Sequence, residues 1–86
     1  MNIVEIKSVE DFNALPASFD EPTWIDIYCD IPKIDTTQKN GYYRVYGGTI
    51  QYVYGGTIQY VKGGTILSVY GGTILSVKGG TIQYVY

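Results

Sequence analysis

The chain has no histidine among its 86 residues, which removes the side chain most often used as a general base or metal ligand near neutral pH. A single cysteine, Cys29, excludes an internal disulfide, and a lone half-buried thiol reads as a structural group and not a nucleophile. No uninterrupted apolar run approaches the roughly 18 residues that a membrane-crossing helix needs. The first fifteen residues carry Glu5, Glu10 and Asp11 where a secretory leader needs a basic start and an apolar stretch. These absences predict a cytoplasmic chain with no cofactor and no metal site. Acidic residues are missing altogether from 47–86, where the only charges are Lys62 and Lys78. All eight acids lie in residues 1–46 with four bases, so a net of −4 faces a net of +2. Two lysines make a poor phosphate track, and nucleic acid is not an expected partner.

The residues that could carry catalysis are also badly spaced. Asp26 and Asp30 would share a strand face about 13 Å apart, too far to work as a carboxylate pair. Lys62-Gly63-Gly64-Thr65 resembles a phosphate loop only superficially, because no lysine followed by serine or threonine stands at the P-loop spacing. The expectation is a chain that is not an enzyme.

What is present in excess is tyrosine, with ten residues against two Phe and one Trp, and glycine, with eleven. Residues 1–46 are not repetitive and read as an amino-terminal cap. "NIVEIK" has the apolar density of a strand. Ser8-Val9-Glu10-Asp11 reads as a capping box opening a short helix, with Val9, Phe12 and Leu15 on one face and Pro16 as its stop. After a "PASFDEP" loop, "WIDIYCDI" alternates, with Ile25, Ile27, Cys29 and Ile31 on one side and Asp26, Tyr28 and Asp30 on the other. Pro32 and the polar "DTTQKNG" run then make a connection into "YYRVY".

From Val45 the chain reads VYGGTIQY, VYGGTIQY, VKGGTILS, VYGGTILS, VKGGTIQY, then Val85-Tyr86. Residues 47–86 form this repeat region. The valine, both glycines, the threonine and the isoleucine never change. The residue after valine is Tyr or Lys, and Gln-Tyr can become Leu-Ser, so the constant positions should build the fold and the variable ones face outward. A parallel β-solenoid is the expected architecture: each octapeptide is one side of a coil, Gly-Gly turns the corner, and Ile and Val both face the core if a second bend falls at the variable pair. An antiparallel meander with Gly-Gly hairpin turns is one alternative. The pattern V-x-G, carried by Val45 and Gly47, Val53 and Gly55, Val61 and Gly63, Val69 and Gly71, and Val77 and Gly79, is similar to the octapeptide of the intertwined β-helix in phage tail-spike needles. That resemblance implies a trimeric, non-enzymatic structural element, which is a second alternative.

Burying one Ile and one Val stabilises an octapeptide by about 3–6 kcal/mol, whereas ordering eight residues costs about 8–16 kcal/mol. No repeat can fold alone, and residues 1–46 should close one end. The other end, at Tyr86, would leave a bare β edge of the kind proteins normally block, pointing to self-association or a protein partner there. The surface candidates are Tyr52, Tyr60 and Tyr84, expected in one column, and Tyr46, Tyr54, Tyr70 and Tyr86 with Lys62 and Lys78, expected in another. Large amphipathic rings of this kind make contacts at small entropic cost. The expected function is a repeat scaffold presenting a tyrosine-rich surface for protein recognition or self-assembly, with a needle or filament element as the competing reading.

Overall fold

A computed structural model describes residues 2–35 and 38–86. Strands β1 (Asn2–Ile6), β2 (Ser18–Ile27), β4 (Lys39–Val45), β6 (Thr57–Val61) and β8 (Thr73–Ile74) form one sheet in that order. Strands β3 (Ile31–Ile34), β5 (Thr49–Val53), β7 (Thr65–Val69) and β9 (Thr81–Val85) form the other. The chain alternates between the sheets, and every pairing between these strands is parallel. This is a parallel β-solenoid of about five turns, with both sheets wound from one chain. The antiparallel meander is overturned by the pairing direction. Helix α1 (Val9–Asn13) stands between β1 and β2 where later coils have a strand of the second sheet.

Stacked residues in the repeats are sixteen apart: Thr49 pairs with Thr65 and Thr65 with Thr81, and Ile50, Ile66 and Ile82 follow the same rule. One coil therefore takes two octapeptides, one per sheet. The bend that lets both Ile and Val face inward is visible in the ladder itself. It pairs Thr49, Ile50, Tyr52 and Val53 with Thr65, Ile66, Ser68 and Val69, and passes over Gln51. Skipping one residue resets the two-residue alternation of a strand, so Ile50 and Val53 are both fully buried while Gln51 and Tyr52 are exposed.

Each corner is built on backbone. The Tyr70 and Gly71 amides both donate to the Val53 carbonyl, at 2.8 and 3.3 Å, and the Thr73 amide donates to the Gly56 carbonyl at 2.9 Å. Glycine is required because successive corners touch. A Cβ on Gly71 would sit 2.5 Å from the Tyr54 carbonyl oxygen, and one on Gly72, whose φ is 85°, would sit 2.7 Å from that of Gly56. The invariance of the pair is thus steric on one residue and conformational as well on the other.

The core is a double column of Ile25, Ile27, Val45, Ile50, Val53, Ile58, Val61 and Ile66, all fully buried, closed at the amino-terminal end by Phe12 and Leu15. As expected for a capping box, the Ser8 hydroxyl accepts from the Asp11 amide at 3.2 Å. The Asp11 carboxylate reaches the Lys7 amide, at 3.1 Å, one residue further back than the usual partner. Val9, on the same helical face, remains exposed.

Four expectations need correction. The strand read over "WIDIYCDI" ends at Ile27: Tyr28, Cys29 and Asp30 form a corner, and Ile31 opens β3 in the other sheet. Ser18 to Pro22 of the "PASFDEP" segment belong to β2 and not to a loop. Ser18 pairs with Lys39 and Thr23 with Gly41, so four residues bulge out between the two pairs and Pro22 sits where no ladder amide is needed. Pro32 does not break the chain into a connection but lies in β3, the edge of its sheet. Of the "DTTQKNG" connection, Thr36 and Thr37 lie outside the described residues, and Lys39 onward is β4. Strands β2, β3 and β4 share sheets with the octapeptides, so the ladder runs unbroken across residue 46.

Candidate functional site

The sixteen-residue coil redistributes the surface candidates. Tyr46, Lys62 and Lys78 follow Val45, Val61 and Val77 at one corner; Tyr54, Tyr70 and Tyr86 follow Val53, Val69 and Val85 at the other. The single alternating Tyr/Lys column expected from an eight-residue unit is therefore two columns, at opposite ends of the coil's cross-section. Likewise Tyr52 and Tyr84 share a column with Lys33 and Ser68 on the second sheet, while Tyr60 pairs with Arg44 on the first.

At the all-tyrosine corner, Tyr54 and Tyr70 stack with ring centroids 5.2 Å apart and planes 11° from parallel. Tyr70 and Tyr86 stack at 4.6 Å and 5°. Tyr52 flanks this stack, 5.8 Å from Tyr54 and 6.2 Å from Tyr70, and Tyr84 lies 6.4 Å from Tyr86. All five rings are exposed, so hydroxyls and ring edges line one continuous flank. The column begins beside Asp35, which follows Ile34 as Tyr54 follows Val53, and Asp35 is ion-paired with Lys33 at 3.2 Å. Desolvation, followed by the neighbouring phenols Tyr86 and Tyr54, raises the pKa of Tyr70.

The other corner is cationic and more tightly knit. Tyr28 stacks on Tyr46 at 5.3 Å. The Lys62 ammonium lies 5.6 Å from the Tyr46 ring and 5.3 Å from Tyr60, and Lys78 lies 5.2 Å from the same Tyr60 ring. These distances suit cation–π contact, worth about 0.5–1 kcal/mol each at an exposed site. Above them Arg44 covers Trp24 at 4.6 Å and holds Asp26 in a two-pronged ion pair of 2.6 and 2.7 Å. Arg44 is thereby neutralised, and among the described residues neither Lys62 nor Lys78 has an ion-pair partner.

Sequence reasoning did not include Trp24, Tyr28, Tyr42 or Arg44 in the surface. The signal was an imperfect repeat: Trp24, Ile25, Asp26, Ile27 and Tyr28 lie eighteen residues before Tyr42, Tyr43, Arg44, Val45 and Tyr46, and the first four of each set are paired across β2 and β4. A spacing of eighteen, with no glycine pair in the earlier copy, hides the relation from an eight-residue search.

Two further features bear on chemistry. A shallow groove between α1 and the first corner is lined by Val9, Asp30, Ile31, Pro32, Thr49 and Gln51. Its carboxylate already accepts the Thr49 amide at 2.8 Å. Desolvation and the nearby Asp30 raise the Cys29 pKa, which keeps the thiol protonated and weakly nucleophilic near neutral pH. Comparison with known protein families, with characterised proteins and with solved structures finds no match to this chain.

Proposed function

We propose that this chain is a non-enzymatic repeat scaffold whose tyrosine flank serves protein recognition or self-assembly. The observation that carries the reading is the exposed cluster of Tyr52, Tyr54, Tyr70, Tyr84 and Tyr86, presented on a rigid parallel ladder at one corner. Rings held in place by stacking lose little further freedom on contact, which is why aromatic residues dominate the energetics of many interfaces. The cationic corner, with Lys62 and Lys78 unpaired by acids, adds a region of opposite character on the same coil and would orient an acidic partner.

The stacking itself favours a second reading, in which the rings chiefly hold coils together in a structural rod. Replacing Tyr52, Tyr54 and Tyr70 with serine separates the two. For a recognition surface, self-association in sedimentation equilibrium or capture of a specific protein is lost, while the thermal midpoint moves little. For a rod, the midpoint falls and no association depends on the rings. Adding sixteen residues as two octapeptides gives a complementary test, since a rod lengthens by one coil and a recognition surface shifts its partner's position.

A further inference from the structure

With a single cysteine, the chain has no disulfide to tie one coil to the next. The all-tyrosine corner brings together another pair of groups that can be joined. Tyr54 and Tyr70 are sixteen residues apart, with ring centroids at 5.2 Å and planes 11° from parallel, and Tyr70 meets Tyr86 at 4.6 Å and 5°. The ladder holds these side chains in register, because Val53 pairs with Val69 and Val69 with Val85. Parallel strands send the rings out the same way, so the carbon ortho to each hydroxyl lies beside its counterpart on the next ring. Tyr54 and Tyr70 are 48% and 47% exposed, which lets their hydroxyls pass protons to water and leaves the rings room to turn out of the stack.

We propose that this stack is a site of oxidative tyrosine cross-linking, in which Tyr70 becomes bonded to Tyr54 or to Tyr86. The co-reactants are a haem peroxidase, which removes single electrons, and hydrogen peroxide. Each of two stacked phenols gives up one electron and its hydroxyl proton, and the peroxide takes both electrons and both protons to leave as two waters. The unpaired electron of each phenoxyl radical is shared with the ring carbons ortho to oxygen, and one carbon–carbon bond forms between such a carbon on each ring. The hydrogen on each joined carbon then moves to its phenolic oxygen, restoring both aromatic rings and both hydroxyls. The product ties adjoining coils covalently, the kind of loop closure by which a disulfide constrains an unfolded chain. This site does not rest on the recognition reading, because it needs stacked phenols and an oxidant but no bound protein.

Charge selects this corner over the opposite one. Tyr28 and Tyr46 stack nearly as well, at 5.3 Å and 12°, but the Arg44 guanidinium and the Lys62 ammonium each lie 5.6 Å from the Tyr46 ring. A cation over a ring is held by its π electrons and opposes the removal of one of them. Trp24 is guarded in the same way, with Arg44 at 4.6 Å. Among the described residues, the cation–ring contacts fall on Trp24, Tyr46 and Tyr60 and on none of Tyr54, Tyr70 and Tyr86.

The test is treatment of the dilute 86-residue chain with a haem peroxidase and hydrogen peroxide, followed by tryptic peptide mapping. Cleavage after Arg44, Lys62 and Lys78 leaves Tyr70 as the single tyrosine of residues 63–78, with Tyr54 in 45–62 and Tyr86 in 79–86. The expected product runs as one chain on a denaturing gel, shows dityrosine fluorescence, and has 63–78 joined to 45–62 or to 79–86 with the loss of two hydrogen atoms. Tyr70→Phe keeps a ring in the stack without its hydroxyl, and should lose most of that fluorescence. Tyr54→Phe should lose the link from 63–78 to 45–62 and keep the one to 79–86. Absent dityrosine, links chiefly between chains, or undiminished fluorescence in Tyr70→Phe would each overturn the proposal. So would a dominant link from residues 8–33, which hold Tyr28, to 45–62, or survival of the 45–62 link to 63–78 in Tyr54→Phe.

Discussion

The second coil, β2 and β3, and the octapeptide coils that follow occupy the same sheets and feed the same core columns, yet they close their corners by different chemistry. In the octapeptides the corner is backbone on backbone, with the Thr65 amide donating to the Gly48 carbonyl at 2.9 Å. One coil earlier the corner is Tyr28-Cys29-Asp30, and the equivalent Thr49 amide donates to the Asp30 side chain at 2.8 Å. A carboxylate stands in for a carbonyl, and no glycine is present at that corner, which follows β1 and α1 where later coils have a strand of the second sheet. The outer faces differ likewise. The amino-terminal coils are fastened by the Asp26–Arg44 ion pair against Trp24, the later ones by stacked rings and cation–π contacts. A solenoid coil thus needs an inward Ile or Val column and some acceptor at the corner. Glycine becomes obligatory where a corner packs onto one already laid down, whatever its composition: a Cβ on Gly48, whose φ is 80°, would strike the Cys29 carbonyl of the glycine-free corner.

The strongest way to break that comparison is at a stacked corner. Gly72→Val adds a branched side chain at a φ of 85°, against the Gly56 carbonyl. Strain and overpacking together should cost on the order of 3–5 kcal/mol, enough to unfold the repeat coils in thermal melts. Cys29→Val, at the glycine-free corner, should cost less than about 1 kcal/mol. Next comes the core. Ile58→Ala removes a fully buried side chain and should cost about 2–5 kcal/mol in denaturant titrations, and Ile82→Ala, in the half-exposed last coil, clearly less.

How much of this was legible beforehand follows the same division. The constant Val, Gly-Gly, Thr and Ile positions disclosed the solenoid and the double inward facing of Ile50 and Val53, because backbone packing and core burial both act on every copy alike. The split into two corner columns was not legible. Tyr and Lys are interchangeable on an outward position, so the eight-residue unit concealed a sixteen-residue coil, which only the sequence Tyr46, Lys62, Lys78 against Tyr54, Tyr70, Tyr86 betrays. The Trp24–Arg44–Asp26 group was hidden for another reason. It belongs to coils where a longer path from Ile34 to Tyr43 than from Val53 to Ile58 has moved the spacing to eighteen, leaving side-chain chemistry to do what repetition does later.

Two smaller effects sharpen the contrast. Asp26→Asn leaves the Arg44 guanidinium without its counter-charge under Trp24 and should cost about 2–4 kcal/mol, with little effect from 0.5 M salt because the pair is largely buried. The same salt should weaken any acidic ligand held by exposed Lys62 and Lys78. Tyr43, the buried residue that takes an isoleucine position between Ile25 and Ile58, donates its hydroxyl to Gln38 Oε1 at 2.6 Å, and desolvation pushes its pKa up to about 12. The unfolded chain loses that proton near pH 10 and the folded chain near 12. Stability is therefore intact below pH 10 and falls between 10 and 12, by about 2–3 kcal/mol from this group. Tyr43→Phe should flatten that part of the alkaline unfolding curve.

The central claim is that two octapeptides make one coil, with residues sixteen apart stacked in parallel. Backbone nuclear Overhauser contacts test it most directly. The account predicts strong contacts between Thr49 and Thr65 and between Ile50 and Ile66. Strong Hα–Hα contacts between Val53 and Ile58, the mark of an antiparallel hairpin turning at Gly55-Gly56, would contradict it.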